Sequence, residues 1–115
     1  MELQIKPLTE EYVDQVCVLE EEVVASCGLR NIVGDGEITN VVTKTSARGR
    51  GIGEQMLLKL LEEGTAMGVE AFTLEVRKSN DAAIHLYEKL GFVTEGVRKN
   101  FYEDPTEDAL IMWKR

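Results

Sequence analysis

Residues Ser46–Gly53 read SARGRGIG and run directly into Glu54–Leu61, EQMLLKLL, in which apolar residues recur at helical spacing. The β-prone run Glu37–Thr43 precedes them, so the order is strand, basic glycine-rich turn and helix. The first amides of a helix lack partners within the helix, and the helix dipole places partial positive charge there. This order therefore predicts an anion-binding site.

The glycines and arginines of the turn favour a phosphate or pyrophosphate as the anion. Gly49, Gly51 and Gly53 leave the backbone N–H groups accessible, and Arg48 and Arg50 add fixed positive charge with bidentate donors. The turn is not a P-loop, because no Gly-Lys-Ser/Thr follows. It is not the dinucleotide fingerprint either, because the third glycine comes one residue early. A flexible helix terminus with solvated arginines and a nucleic-acid-binding loop are the alternative interpretations.

The composition is that of a globular protein with an acidic surface. Of the 115 residues, 43% are apolar, which predicts one domain over residues 1–115. The net charge of −8 argues against nucleic acid as the main partner. It suits either a cationic partner, such as an amine or basic peptide, or a role in solubility alone. No apolar run reaches about 18 residues and no signal-peptide pattern is present, so we expect a cytoplasmic protein without membrane contact.

Upstream of the turn, the pattern predicts two short elements followed by a hairpin. In chain order they are a strand around Ile5, a helix over Glu10–Glu21, a strand over Val23–Val33, a turn at Gly34–Gly36 and a strand over Glu37–Lys44. Thr9 is a suitable N-cap for the helix, whose apolar residues recur at roughly helical spacing. Cys17 and Cys27 have no metal-ligand spacing and are expected to be small buried hydrophobic side chains.

Downstream of the turn, helices and strands alternate. The predicted elements are a helix with an apolar stripe from Ile52 to Met67 that stops at Gly68, a strand over Ala71–Val76, a helix over Ala82–Leu90, and strands over Phe92–Arg98 and Ala109–Trp113. Ser79–Asp81 offers N-cap chemistry, and Gly91 is a suitable left-handed cap. This alternation predicts a mixed α/β class.

Two residues in this part are candidates for chemistry. Glu75 is an acid in the middle of an apolar strand, where a carboxylate usually lies at a solvent-facing edge or in a cleft. Tyr87 lies on the following helix, and a half-buried core tyrosine is the alternative interpretation. His85 has no partner at triad or ligand spacing and is expected to be exposed, so we expect no metal site.

Together these stretches resemble the GNAT superfamily of N-acetyltransferases. Arg48–Gly53 matches its acetyl-coenzyme A signature: Arg or Gln, two residues, Gly, one residue, Gly or Ala. Leu74–Asn80, LEVRKSN, and Ala83–Phe92, AIHLYEKLGF, look like its later motifs. Arg98–Tyr102, RKNFY, and Glu107–Met112, EDALIM, are similar to the bacterial ribosomal-protein-alanine N-acetyltransferases in particular.

The resemblance implies a GNAT fold, acetyl-CoA as cosubstrate and direct transfer with both substrates bound. It implies that Glu75 is the general base and Tyr87 the general acid, and that an amide, that of Val42, polarises the thioester carbonyl. The residues that it implies in binding acetyl-CoA are Val41, Val42, Thr43, Arg48, Gly49, Arg50, Gly51, Ile52, Gly53, Glu54 and Asn80.

The nature of the acceptor amine is open at this stage. An α-amine has a pKa near 8 and a lysine one near 10.4, so deprotonating the α-amine at neutral pH costs roughly 3 kcal/mol less. This mildly favours the N-terminus of a protein as acceptor, and the resemblance favours a ribosomal one. The alternatives are another amine, such as a lysine, polyamine or small molecule, and a coenzyme A-binding domain with little turnover.

The sequence departs from the family where Leu19–Glu22 joins the first helix directly to the Val23 strand. Family members usually have a second helix and another strand there, so roughly thirty residues are absent by ordinary element sizes. The missing part normally helps to shape the acceptor site. An engineered deletion, a natural minimal variant and an incomplete sequence all explain it. A shortened sheet with exposed edges also predicts a homodimer.

Overall fold

The structure is a computed structural model that describes residues 4–7, 13–19, 22–32, 34–43 and 51–115, with side chains at 27–30, 34–39, 41 and 51–115. The described elements are, in order, β1 (Gln4–Pro7), β2 (Val13–Leu19), β3 (Glu22–Ile32), β4 (Asp35–Thr43), α1 (Ile52–Ala66), β5 (Ala71–Arg77), α2 (Asp81–Lys89), β6 (Val93–Tyr102) and β7 (Glu107–Lys114).

The described strands form one sheet in the order β1-β2-β3-β4-β5-β7-β6. The pairing of β4 with β5 is parallel, and the other neighbouring strands pair antiparallel. A parallel pair needs a crossover connection, and α1 lies in the connection between β4 and β5. The predicted mixed α/β class is therefore confirmed.

The helix predicted over Glu10–Glu21 is wrong where the structure describes this segment. Val13–Leu19 forms β2, which pairs with β1 on one side and β3 on the other. Three of its seven residues are valines, whose branched side chains suit a strand better than a helix. Pairing with two neighbouring strands then outweighs the loose helical spacing. The rest of the predicted helix, residues 10–12 and 20–21, lies outside the described residues.

The hairpin between β3 and β4 is confirmed, but β4 begins at Asp35, two residues before its predicted start at Glu37. Ile32 pairs with Asp35, and Gly34 between them has a φ of +87°, which glycine adopts without strain. Gly36 is already part of β4. A Cβ on Gly36 would lie 2.8 Å from Leu29 Cδ1, so this glycine is required by packing and not by the turn.

Helix α1 packs on the sheet through the predicted stripe. Ile52, Met56 and Leu60 are buried, and the last two are fully inaccessible. Met67 is the exception, because it follows the end of the helix and is 51% exposed. The core lies between the helices and the sheet, and Cys27, at 3% exposed, is part of it as expected. The side chain of Cys17 lies outside the described residues.

The elements from β5 onward agree closely with the prediction. Phe72, Leu74 and Val76 of β5 are buried, whereas Thr73, Glu75 and Arg77 are partly exposed. Helix α2 begins where Asn80 Oδ1 accepts a hydrogen bond from the Ala83 amide at 3.2 Å. Strand β6 continues four residues beyond the predicted end at Arg98, to Tyr102.

Candidate active site

Strands β4 and β5 diverge after a short parallel contact. They pair at three positions, the last of which joins Glu37 to Thr73, although β4 continues to Thr43 and β5 to Arg77. Beyond that pair, the edge of β4 that faces β5 has no described strand beside it. Among the described residues, the backbone N–H and C=O groups on this edge therefore have no partner strand.

A cavity of about 760 Å³ opens where the two strands separate. Its volume lies in the range of small-molecule and cofactor sites. It is lined by residues of β4, β5, α2, β6 and β7, namely Glu37, Ile38, Thr39, Val41, Thr73, Leu74, Glu75, Val76, Arg77, Asn80, Tyr87, Arg98, Phe101, Tyr102, Ile111 and Trp113. The lining of the cavity thus combines aliphatic side chains with charged and aromatic ones.

Glu75 lines this cavity from the polar face of β5. Its side chain is 26% exposed, and its Oε2 lies 3.5 Å from Arg98 Nε. Among the described residues, no group donates a hydrogen bond to this buried oxygen. A carboxylate oxygen in this condition has unused capacity to accept a proton or a hydrogen bond.

Tyr87 lines the same cavity from α2 and is only 5% exposed. Its ring packs on Phe92, with the ring centroids 6.0 Å apart. Burial is the main reason why the pKa of Tyr87 rises to about 12, and Tyr102 and Cys27 add to the rise. Its hydroxyl is therefore protonated at neutral pH and can donate a proton but not accept one.

The structure thus brings the two candidate catalytic residues, Glu75 and Tyr87, to one cavity. His85, on the same helix as Tyr87, is exposed as expected and does not line the cavity. The interpretation of Tyr87 as a core residue is also correct in part, since this tyrosine belongs to the hydrophobic core.

The candidate cofactor residues fall into three groups. Val41 and Asn80 line the cavity, and Val42 and Thr43 lie on the adjacent part of β4, where they pair with Ser26 and Ala25 of β3. Gly51, with a φ of +72°, caps the N-terminus of α1, which begins at Ile52. Gly53 and Glu54 lie in the first turn of that helix, and Arg48, Gly49 and Arg50 lie outside the described residues.

Glu54 and Asn80 already have protein partners for part of their side chains. Glu54 Oε2 accepts a hydrogen bond from Lys89 Nζ at 3.0 Å, away from the cavity that Glu75 lines. The Oδ1 atom of Asn80 caps α2, which leaves its amide N–H groups for a ligand. Asn80 can therefore bind a ligand through its side-chain amide, whereas the Glu54 carboxylate is already bound to Lys89.

Sequence reasoning assigned no role to the cationic and aromatic residues of the cavity. Arg77 lies over the ring of Tyr102, 4.4 Å from its centroid, and Arg98 lies 5.3 Å from the centroid of Phe101. The signal that was available is the run RKNFY at Arg98–Tyr102, which places two aromatic residues in a polar strand. The contact of Tyr102 with Arg77 of β5 depends on chain pairing that local sequence does not report.

In the part of the chain that the structure describes, neither helix has the length and hydrophobicity of a membrane span. Within the same residues, no group of three His, Cys, Asp or Glu side chains is arranged to hold a metal ion.

Comparison with known proteins places these features among relatives. Residues 4–92 match the Acetyltransferase (GNAT) family. The chain is 41% identical over 87 residues to a protein of Bacillus subtilis (strain 168) named putative [ribosomal protein bS18]-alanine N-acetyltransferase, covering 76% of this chain and 58% of the relative. It is 35% identical over 107 residues to the [ribosomal protein bS18]-alanine N-acetyltransferase of Salmonella typhimurium, covering 90% of this chain and 71% of the relative.

The structure is similar to solved structures over nearly its whole length. The crystal structure of the ribosomal-protein-S18-alanine N-acetyltransferase from Escherichia coli superimposes with a TM-score of 0.85 at 32% identity, covering 93% of this chain and 70% of that one. The chain thus spans little more than half the length of the Bacillus subtilis relative and more than two thirds of the Escherichia coli one.

Proposed function

Because the chain belongs to the acetyltransferase (GNAT) family, we propose that it transfers an acetyl group from acetyl-CoA to the N-terminal α-amine of a protein. The observation that carries this proposal is that Glu75 and Tyr87 line one cavity at the divergence of β4 and β5. The names of relatives at 35% and 41% identity support a ribosomal protein as the acceptor. An acceptor on the ribosome would place the protein in the cytoplasm.

In this proposal Glu75 accepts the proton that the attacking amine must lose, directly or through a water molecule. A protonated amine has no lone pair for attack on a thioester, so a base is required. The Oε2 atom of Glu75 suits the task because it receives no hydrogen bond from the described residues. Arg98 Nε lies 3.5 Å from the same oxygen, so the carboxylate faces a positive charge.

Tyr87 donates a proton to the sulfur of the leaving group. Its pKa of about 12 keeps the hydroxyl protonated at neutral pH but makes it a weak acid. The burial that raises the pKa of the phenol also raises that of a thiolate formed in the same cavity. The pKa values of the Tyr87 phenol and of the leaving thiol therefore rise together. The difference between them, which sets the free energy of the proton transfer, stays smaller than if only the phenol were buried.

The residues of the cavity also fit the cosubstrate. Val41, Val42 and Thr43 lie on the part of β4 beyond its pairing with β5, and in this proposal the Val42 amide polarises the thioester carbonyl. Asn80 offers amide N–H donors. The segment from Arg48 to Glu54 would hold the diphosphate, Glu54 through its backbone N–H, because its carboxylate binds Lys89.

A second candidate function follows from the length of the chain. The chain spans 58% of the Bacillus subtilis relative. In this alternative, part of the surface that would bind the acceptor is absent. The protein would then bind coenzyme A with little turnover.

A thiol-release assay with acetyl-CoA separates these functions. The substrate is a short basic peptide with a free N-terminus, and the matched control is the same peptide with a blocked N-terminus and one internal lysine. We expect turnover with the first peptide only. Turnover with the control alone contradicts an α-amine acceptor, and binding of acetyl-CoA without turnover supports the second candidate.

Variants at the cavity test the proposed roles. Glu75→Gln and Tyr87→Phe are each expected to lower kcat by about 100-fold or more, since general acid–base groups contribute that much. His85→Gln, on the same helix but outside the cavity, is the matched control and should turn over like the wild type. Unchanged kcat in both cavity variants would contradict the assigned roles.

A further inference from the structure

Arg77, at the end of β5, donates hydrogen bonds to a segment that is distant in the chain. Its Nη1 donates to the carbonyl of Pro105 at 3.0 Å, and its Nη2 donates to the carbonyl of Glu103 at 3.0 Å. Both carbonyls belong to residues 103–106, which we call the β6–β7 turn. The planar guanidinium group thus binds the turn through two hydrogen bonds, as its fixed donor geometry allows.

The same guanidinium group holds Tyr102, the last residue of β6. It lies over the tyrosine ring, 4.4 Å from the centroid, at a distance typical of a cation–π contact. Tyr102 lines the cavity together with Glu75. Burial is the main cause that raises the pKa of Tyr102, the charge of Glu75 also raises it, and Arg77 lowers it. The tyrosine is therefore in the electrostatic range of both residues.

Glu107 extends this arrangement to the start of α2. Its Oε1 lies 3.3 Å from Arg77 Nη1, and its Oε2 accepts a hydrogen bond from the Ser79 amide at 2.7 Å. Hydrogen bonding from Ser79, chiefly from its side chain and in addition from this amide, is the main reason why the pKa of Glu107 is lowered, and Arg77 contributes as well. The turn, the end of β5 and the segment that leads to Asn80 are thus connected through Arg77 and Glu107.

We infer that Arg77 is a positioning residue that sets how well the acceptor is held. By donating hydrogen bonds to the β6–β7 turn and stacking on Tyr102, it holds Tyr102 in place in the cavity that Glu75 also lines. The inference rests on the proposed function, because it concerns the acceptor of that reaction. Lysine cannot replace the arginine, since an ammonium group has neither the planar fork nor the flat face that the two carbonyls and the ring require.

The test compares Arg77→Lys with the wild type in steady-state kinetics. We expect the KM for the acceptor peptide to rise about tenfold, since small misplacements of a substrate-positioning wall are costly. We expect a smaller change in kcat and an unchanged Kd for acetyl-CoA. Lys59→Arg, an exchange of the same two residue types on α1, is the control, because Lys59 pairs with Glu62 and Glu63 and does not line the cavity.

A double-mutant cycle with Tyr102→Leu decides whether Arg77 acts through the tyrosine. If it does, the double variant binds the acceptor no worse than Tyr102→Leu alone. Additive effects, or an unchanged acceptor KM in Arg77→Lys, overturn the inference. Should Arg77→Lys fail to fold, Tyr102→Leu alone must still raise the acceptor KM, and an unchanged value overturns the inference in that case too. A wild-type protein without turnover overturns the proposed function as well.

Discussion

At the scale of single residues, Tyr87 combines a packing role with the proposed chemical one. It is 5% exposed, packs on Phe92 and yet lines the cavity of Glu75. Helical spacing alone could not separate a core tyrosine from a reactive one, because both face inward from α2. The structure shows that this side chain belongs to the core and also lines the cavity, and burial is the main reason why its pKa rises to about 12.

The raised pKa of Tyr87 predicts how stability falls at high pH. The folded state keeps the phenol protonated up to about pH 12, whereas the unfolded chain releases the proton near pH 10. This contribution is full below pH 10 and is lost as the pH rises toward 12. At pH 11 the loss is about 1 kcal/mol.

Chemical denaturation at pH 8 and pH 11 measures this effect in the wild type and in Tyr87→Phe. The variant should lose less stability than the wild type between the two pH values, because it lacks the titrating phenol. His85→Gln serves as the control and should lose as much as the wild type. Equal losses in wild type and Tyr87→Phe would show that the hydroxyl of Tyr87 titrates normally.

At the scale of elements, α1 lies unusually close to the sheet. A Cβ added to Gly64 would lie 2.7 Å from Phe72 Cε1 and 2.9 Å from Leu29 Cδ2, on β5 and β3. Gly36 meets Leu29 in the same region. Small residues on both sides therefore allow the helix to approach the strands from which the cavity opens.

Gly64→Ala is expected to destabilise the protein by about 1–3 kcal/mol, the usual effect of overpacking. Alanine favours a helix over glycine by about 1 kcal/mol, so a loss of stability isolates the packing effect from helix propensity. Urea denaturation gives the free energy of unfolding. Leu58→Ala, at a position 49% exposed on the same helix, is the control and should change it by less. A more stable Gly64→Ala would mean that the helix and sheet have room to separate.

At the scale of the whole molecule, the described sheet ends in β1 on one side and β6 on the other. Strand β6 carries three exposed apolar residues: Val93 at 61%, Val97 at 51% and Phe101 at 44%. An edge strand with exposed apolar side chains favours pairing with another chain. The homodimer expected from the shortened sheet stays a prediction, and β6 is the edge that we expect to form it.

Size-exclusion chromatography with light scattering tests this expectation. The wild type should show a mass twice the 12.9 kDa of one chain, and Val97→Lys should shift it toward the monomer, because charge on an edge strand opposes pairing. Leu58→Lys, at an exposed position on α1, is the control. A monomeric wild type at high concentration would contradict the prediction.

The sequence by itself determined those features that depend on near neighbours. The order of strand, glycine-rich turn and helix, the orientation of Glu75 on β5, the cap at Asn80 and the hairpin of β3 and β4 all follow from periodicity, capping and turn chemistry within a few residues. The motifs that contain Glu75 and Tyr87 also lie in the sequence, so the pair could be selected before the cavity was seen.

Only the tertiary structure decided the features that depend on distant segments. Val13–Leu19 forms a strand because β1 and β3 lie on either side of it, which its own weak periodicity cannot reveal. The divergence of β4 and β5 and the grip of Arg77 on the β6–β7 turn likewise join segments that are far apart in the chain. Such contacts form when the whole sheet pairs, and local propensity carries no record of them.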